Sequence, residues 1–352
     1  MLINARGFAA SEAINCEVGD MAMRKRFPAA GLLPETHSSE RRTLAWRYAA
    51  PVLAFICFFI CSNKTYARQA SEPAREINWH AMGSTPCAWS PPVLDARGAI
   101  DSEATIRILK AKGLSCYGAL IWRQREHGSV AFDWGSFKQF VAAAAPAGID
   151  VWAILIPPSE GGDSPPFNRD YVRWMQELAK LSLRYPNLRG VNIDDYLSGT
   201  SKKTFTPAYT CNLYHAKQAI NPKLQFAPTL YDLDRPLAEQ YGGCVDGVWL
   251  WWTNLDMTTG LASWLENTRL AVQGRFPIYS GIYGHGSSWH RAAPKPGVLR
   301  GSLETACRYA RGAIIWQMPL SPPNPLLQVA RSFGVGGSSP AAGRCGRMAT
   351  RP

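Results

Sequence analysis

Two carboxylates stand side by side at the end of residues 190–196, GVNIDDY. Val191 and Ile193 alternate with Asn192 and Asp194, the period-two pattern of a strand with one apolar face. A strand that stops on Asp194 and Asp195 offers, at its C-terminal end, groups able to give a proton, take one or attack as a nucleophile. Partners for that chemistry follow other β-type runs. Glu160 lies in the loop after 151–156, and Asp232 comes directly after 224–231. Trp252, Asn254 and Asp256 close or follow 247–252, Tyr283 and His285 follow 277–282, and Trp316 and Gln317 lie near the end of 313–318. The plainer alternative is that Asp194 or Asp195 merely caps a turn or a helix. Being adjacent on a strand, the two should point to opposite sides, one acting as nucleophile or base and the other orienting its surroundings. Asp232, which follows its strand without a gap, ranks first as the acid, ahead of Glu160 and Asp256.

Positioning these groups at one place needs a particular architecture. Short β-type runs at 77–82, 116–122, 151–156, 190–196, 224–231, 247–252, 277–282 and 313–318 alternate with amphipathic stretches. This is the order of an α/β fold with parallel strands and helical crossovers. Asp101 or Ser102 is placed to cap the first helix, and Asn168 to cap the one whose stripe is Tyr171, Trp174, Met175, Leu178 and Leu181. Eight such units predict a single (β/α)8 barrel over 68–335, with the strand C-termini forming its mouth. Asp194 should then face the barrel axis, and Val191 and Ile193 the helices. A doubly wound open sheet is the competing topology, but no GxGxxG turn opens any of these helices.

Residues 1–67 are read separately. Arg41, Arg42 and Arg47 precede the apolar stretch 49–61, and Ala67 follows at a small-residue cleavage point, the order of a secretory signal. The apolar stretch is shorter than the roughly 20 residues that span a bilayer. Export to the outside or the periplasm is the expectation, with an uncleaved, membrane-tethering anchor as the alternative. Six of the nine cysteines lie beyond it: Cys87, Cys116, Cys211, Cys244, Cys307 and Cys345. An even number permits disulfides in an exported protein, and no CxxC pair suggests a zinc ribbon or a redox motif. The net charge is +12, and residues 1–67 carry eight basic and five acidic groups, which leaves +9 beyond them. Those charges are scattered rather than blocked, so nucleic acid is a poor partner for this chain. Residues 336–352, rich in Gly, Ser and Ala, read as a disordered tail.

The chemistry narrows further by exclusion. His80 has no His-x-His neighbour, His285 and His290 share a loop, and neither Ser198 nor Ser280 sits in a GxSxG elbow. No metal or cofactor is needed by what remains. Two carboxyl groups flanking a glycosidic bond suffice for its hydrolysis, and thirteen tryptophans and thirteen tyrosines supply flat rings that suit sugar faces as well as cores. The acidic pair closing strand four, the aromatic exits of strands six and seven and Trp316 near the end of strand eight resemble the glycoside-hydrolase type of (β/α)8 barrel. The Asp-aromatic step Asp195-Tyr196 is most similar to the alpha-galactosidase-like barrels. That resemblance implies Asp195 or Asp194 as nucleophile, with Glu160, Tyr196, Trp252, Asp256, Tyr283, His285, Trp316 and Gln317 around an oligo- or polysaccharide. The chain departs from the largest clan of such enzymes: strand seven, YSGIYGHG, has no glutamate, and strand four has no Asn-Glu pair. A silent barrel that binds polysaccharide through the same rings is the second hypothesis.

Overall fold

The computed structural model describes residues 86–123, 131–253, 260–286, 292–320 and 324–333. The run at 77–82, the proposed signal at 41–67, Asn254, Asp256, Trp289, His290 and the tail at 336–352 lie outside the described residues. Among the described residues the strands are β1 (Cys87–Trp89), β2 (Cys116–Ile121), β3 (Asp150–Leu155), β4 (Leu188–Ile193), β5 (Gln225–Phe226), β6 (Thr229–Leu230), β7 (Val248–Trp251), β8 (Ile278–Tyr283) and β9 (Gly312–Trp316). They pair in parallel in the order β5-β4-β3-β2-β1-β9-β8-β7-β6. The two ends of that order are consecutive in the chain, separated only by Ala227 and Pro228. Pro228 has no N–H to give. The Ala227 N–H goes to Val191 on one side, and the Pro228 carbonyl accepts from Trp249 on the other. One stave thus bonds both neighbours through its two halves, and the sheet is a single eight-stave (β/α)8 barrel, as the alternation of runs predicts.

The crossovers follow in step. They are α1 (Ser102–Ala111), α2 (Trp134–Ala144), α3 (Tyr171–Arg184), the single turn α4 (Ser201–Thr204), α5 (Pro207–Gln218), α6 (Arg235–Tyr241), α7 (Leu261–Val272), α8 (Pro296–Tyr309) and α9 (Pro325–Ser332). Asp101 caps α1 through the Ala104 N–H. Asp170, not Asn168, caps α3; Asn168 lies two residues earlier in a left-handed conformation. In α3, Tyr171, Trp174, Met175 and Leu178 are buried against the barrel, the inward stripe its periodicity predicts. No helix among the described residues is long and apolar enough to cross a membrane.

The first stave of the described barrel carries no pattern of its own. β1 lies between Pro86 and the Pro91-Pro92 pair, within a stretch that reads as a loop, yet it bonds to β2 and β9 on both sides. Three residues are too few to show alternation. The consequence is that Trp89, at the exit of β1, joins the mouth unannounced.

The barrel interior is aromatic. Trp152, Trp249 and Tyr279 are fully buried, with Trp152 5.3 Å from Trp249 and 6.4 Å from Tyr279 between ring centroids. Room for such rings comes from register. Trp89 lies beside Gly118, Trp152 beside Gly190 and Trp251 beside Gly281. A methyl group at Gly190 or Gly281 would overlap the neighbouring indole, so each glycine is the gap its partner ring fills. Two disulfides reinforce the frame: Cys87–Cys116 joins β1 to β2, and Cys211–Cys244 joins α5 to the segment before β7. Cys307 is also disulfide-bonded.

Candidate active site

β4 carries its inward face up to the mouth through Asn192. That side chain is fully buried, and its amide donates to the Ala227 carbonyl at 2.7 Å and the Thr229 hydroxyl at 3.1 Å. Val191 and Ile193 are buried on the other face. Asp194, next in the alternation after Asn192, is half-buried and receives the Thr229 hydroxyl.

Asp195 departs from the expected alternation. Its φ is +41°, in the left-handed region that few residues other than glycine adopt and that aspartate tolerates better than most. Its N–H donates to the Asp194 carboxylate at 2.9 Å. The strand has already ended, so the rule that neighbours point to opposite sides no longer holds. Both aspartates therefore converge on one space, and the expectation that they face apart is corrected by this backbone turn.

Glu160 completes the cluster. It comes from the loop after β3, whose path is set by hydrogen bonds to β2 and its exit. The buried Ser164 hydroxyl donates to the Ile121 carbonyl at 2.7 Å and accepts the Ile156 N–H at 3.0 Å. The Trp122 indole donates to the Gly161 carbonyl at 3.0 Å, and the Arg123 N–H to Asp163 at 2.9 Å. Gly162 takes φ +114°, and a side chain there would meet the Trp122 indole. With the loop so held, one carboxylate oxygen from each of Glu160, Asp194 and Asp195 lies within 4.8 Å of the others.

Crowding three acids in a partly dry mouth raises their affinity for protons. Burial, then the Asp195 charge and the Glu160–Asp195 hydrogen bond, push Glu160 up to about 7. Burial, then the charges of Asp195 and Glu160, push Asp194 well above the usual carboxylate range, against the Asp195 N–H and the Thr229 hydroxyl, which favour its anion. None of the ion pairs among the described residues includes these three acids. A proton or a cation could be held among such oxygens, which lie close enough for the acids to share one.

Aromatic groups enclose the cluster. The Tyr231 hydroxyl, just past β6, donates to Asp195 Oδ1. Burial and the charges of Asp194 and Asp195 push both Tyr231 and Tyr283 far above the ordinary tyrosine range. Tyr283 packs 5.4 Å from Trp251 and 5.6 Å from Trp316, and Trp251 lies 5.7 Å from Trp89. Tyr231, Trp251 and Trp89 were not among the residues singled out from sequence. The signal for Tyr231 was its parity: Gln225, Ala227, Thr229 and Tyr231 form the more polar set of their run, opposite Leu224, Phe226, Pro228 and Leu230.

The remaining candidates go elsewhere. Tyr196 is 1% exposed, stacked 4.1 Å from Phe205 with its hydroxyl paired to Thr210 behind the barrel wall. Trp252 packs 5.0 Å from Trp264 of α7, on the helix side, whereas Trp251 faces inward. Asp232 is exposed and accepts the Leu233 N–H at 2.9 Å, outside the acidic cluster. His285 is exposed beside the Gly286 carbonyl, and the exposed Gln317 adopts φ +51° while its N–H donates to Trp89 at 2.6 Å. The structure thus brings together Glu160, Asp194, Asp195, Tyr283 and Trp316. It does not bring in Tyr196, Trp252 or Asp232.

The fold is shared with glycoside-hydrolase barrels. A GH27 β-L-arabinopyranosidase from Geobacillus stearothermophilus is similar over 74% of this chain and 78% of its own, at 9% identity and a TM-score of 0.51. A putative alpha-L-fucosidase from Bacteroides thetaiotaomicron matches over 75% and 94% at 10% identity and a TM-score of 0.49. An endo-1,4-beta-mannanase from Eisenia fetida matches over 77% and 92% at 12% identity and a TM-score of 0.47. No protein-family model and no curated protein sequence matches the chain. At these identities the likeness is one of architecture, and the case for activity rests on the chain's own mouth.

Proposed function

We propose that this chain is a glycoside hydrolase that works with retention, Asp195 serving as nucleophile and Glu160 as general acid and base. The observation that carries this is the Glu160–Asp195 pair, two carboxyls in contact at the mouth of a barrel with the acid member pushed up to about 7. An acid with that affinity is half protonated at neutrality and more so below it, which suits it to protonate a departing oxygen. Asp195 accepts the Tyr231 hydroxyl, a contact that holds its carboxylate in place for attack. Asp194 is pushed toward its neutral form and holds the Asp195 N–H, so it orients the nucleophile rather than replacing it.

The steps balance on these residues. Asp195 bonds to the anomeric carbon as the glycosidic bond breaks, and the Glu160 proton goes to the leaving oxygen. Glu160, now a carboxylate, takes a proton from water as that water displaces Asp195. Substrate enters between the two carboxyls and replaces their mutual hydrogen bond. Their close approach belongs with the roughly 5–5.5 Å spacing of retaining enzymes rather than the roughly 6.5–9.5 Å that leaves room for an inverting water. Trp316, half-buried at the rim, supplies a ring face against which a sugar would lie, backed by the buried Tyr283, Trp251 and Trp89. The disulfides and the charged-then-apolar order of residues 41–67 support a protein exported to an oxidising compartment.

The test is a panel of nitrophenyl glycosides and polysaccharides given to residues 68–352, with proton NMR of the first anomer released. Hydrolysis with retention, abolished in Asp195→Asn, is expected. Sugar binding without turnover would instead identify the silent barrel.

A further inference from the structure

The loop bearing Glu160 and the turn bearing Asp195 are tied together away from their carboxylates. The Ser159 N–H donates to Ser201 Oγ at 3.2 Å, and that hydroxyl donates to Ser159 Oγ at 2.8 Å. Ser201 is fully buried at the start of α4. From it the chain runs back in hydrogen-bonded turns: the Ser201 N–H donates to Ser198 at 2.9 Å, and the Ser198 N–H donates to Asp195 at 3.0 Å. Ser159 adjoins Glu160, whose side chain hydrogen-bonds Asp195. These connections close a ring through Asp195, Ser198, Ser201, Ser159 and Glu160. Gly199, at φ +48°, lets the two loops approach; a Cβ there would lie 3.6 Å from that of Ser159.

The same loop is anchored on its other side to the β2 exit through Trp122–Gly161 and Arg123–Asp163. Glu160 therefore sits between two attachments, one toward β2 and one toward β4. Mutual repulsion of the acids favours drift toward β2, and the attachment toward β4 opposes it. We propose that Ser159 and Ser201 are positioning residues, a two-serine latch that holds the acid against the nucleophile. Its effect on turnover rests on the roles proposed for Glu160 and Asp195; its effect on their spacing does not.

Ser201→Ala removes the shared hydroxyl. Expected is a fall in kcat of about 10- to 100-fold with KM within about threefold, since substrate still enters while the acid is misplaced. The upper limb of the pH–rate profile should also move down from near 7, because an acid freed from a neighbouring carboxylate holds its proton less tightly. The charged and titratable groups facing Glu160 are Asp194 and Asp195, with Tyr231 and Tyr283 beyond them and the Arg123–Asp163 pair joining its loop to the β2 exit. Ser159→Thr keeps the hydroxyl at an exposed position and should behave as the parent. Ser159→Ala keeps only the N–H contact and should fall between.

Carbon-13 NMR of labelled glutamate reads the Glu160 titration without any substrate, so the latch is decided even if no glycoside is hydrolysed. A midpoint near 7 in the parent and Ser159→Thr, and a lower one in Ser201→Ala, supports it. If Ser201→Ala does not fold, the Ser159→Ala and Ser159→Thr pair carries the same comparison. An unchanged midpoint in a folded latch variant, or turnover lost only in proportion to folded protein, overturns it.

Discussion

Below the strand ends, the inward positions of this barrel hold Trp152, Trp249 and Tyr279, each fully buried, with Trp152 fitted against Gly190 and Tyr279 against Gly247. At the mouth, past the ends of β4 and β6, stand Asp194 and Tyr231, with Asp195 and Glu160 turned in beside them. The lower region is close-packed, even at the cost of leaving the Trp152 and Trp249 indole N–H groups and the Tyr279 hydroxyl without hydrogen-bond partners among the described residues, whereas the upper region crowds like charges that ordinary packing would separate. The difference teaches where each property resides: the rings and glycines hold the barrel closed, and that rigidity lets the mouth keep an arrangement unfavourable by itself.

The comparison can be broken most severely at the mouth. Asp195→Asn should lower kcat by at least about 10³-fold while leaving the thermal midpoint equal or higher, read by initial rates and calorimetry. A smaller loss is expected below, and in stability instead. Gly190→Ala drives a methyl group into the Trp152 ring and should cost about 1–3 kcal/mol in denaturant unfolding.

The next effect has a worked sign. Glu160 has a folded-state value near 7 against an ordinary 4.5. Its contribution to stability is fully present below about 4.5 and is lost as pH rises through 7. Unfolding measured from pH 4 to 8 should show a decline on the order of 1–2 kcal/mol from this group, which Glu160→Gln flattens. The smallest change is expected at Tyr196→Phe. It removes the hydroxyl paired with Thr210 behind the wall, costing about 1 kcal/mol with turnover unchanged.

Much of this architecture was legible because parallel barrels repeat. The runs around β2, β3, β7, β8 and β9 match within a residue or two, whereas β4 starts two residues and ends three residues before the 190–196 run; the split stave reads as one strand since Pro228 interrupts bonding but not extension. β1 was missed because three residues carry no period. At the site, the adjacent aspartates were legible as the end of an alternating strand. Their convergence was not, because a left-handed Asp195 is fixed by its contacts rather than by its type. Asp232 outranked Glu160 on contiguity alone. Glu160 reaches the mouth because Ser164, Trp122 and Ser201 steer its loop, and each of those contacts joins residues far apart in sequence. Trp252 and Trp251 were separable by parity, but which faced inward depended on the neighbouring register with Gly281.

The central claim is that Asp195 forms the covalent bond to sugar and Glu160 manages its proton. The most direct measurement traps that bond with a slow fluorinated form of whichever glycoside is hydrolysed, then locates the added mass by fragmenting the peptide that spans both aspartates. The account predicts the label on Asp195, with Glu160→Gln slowing its formation unless the leaving group is already acidic. A label on Asp194 or Glu160, or inverted product with no label, would contradict it.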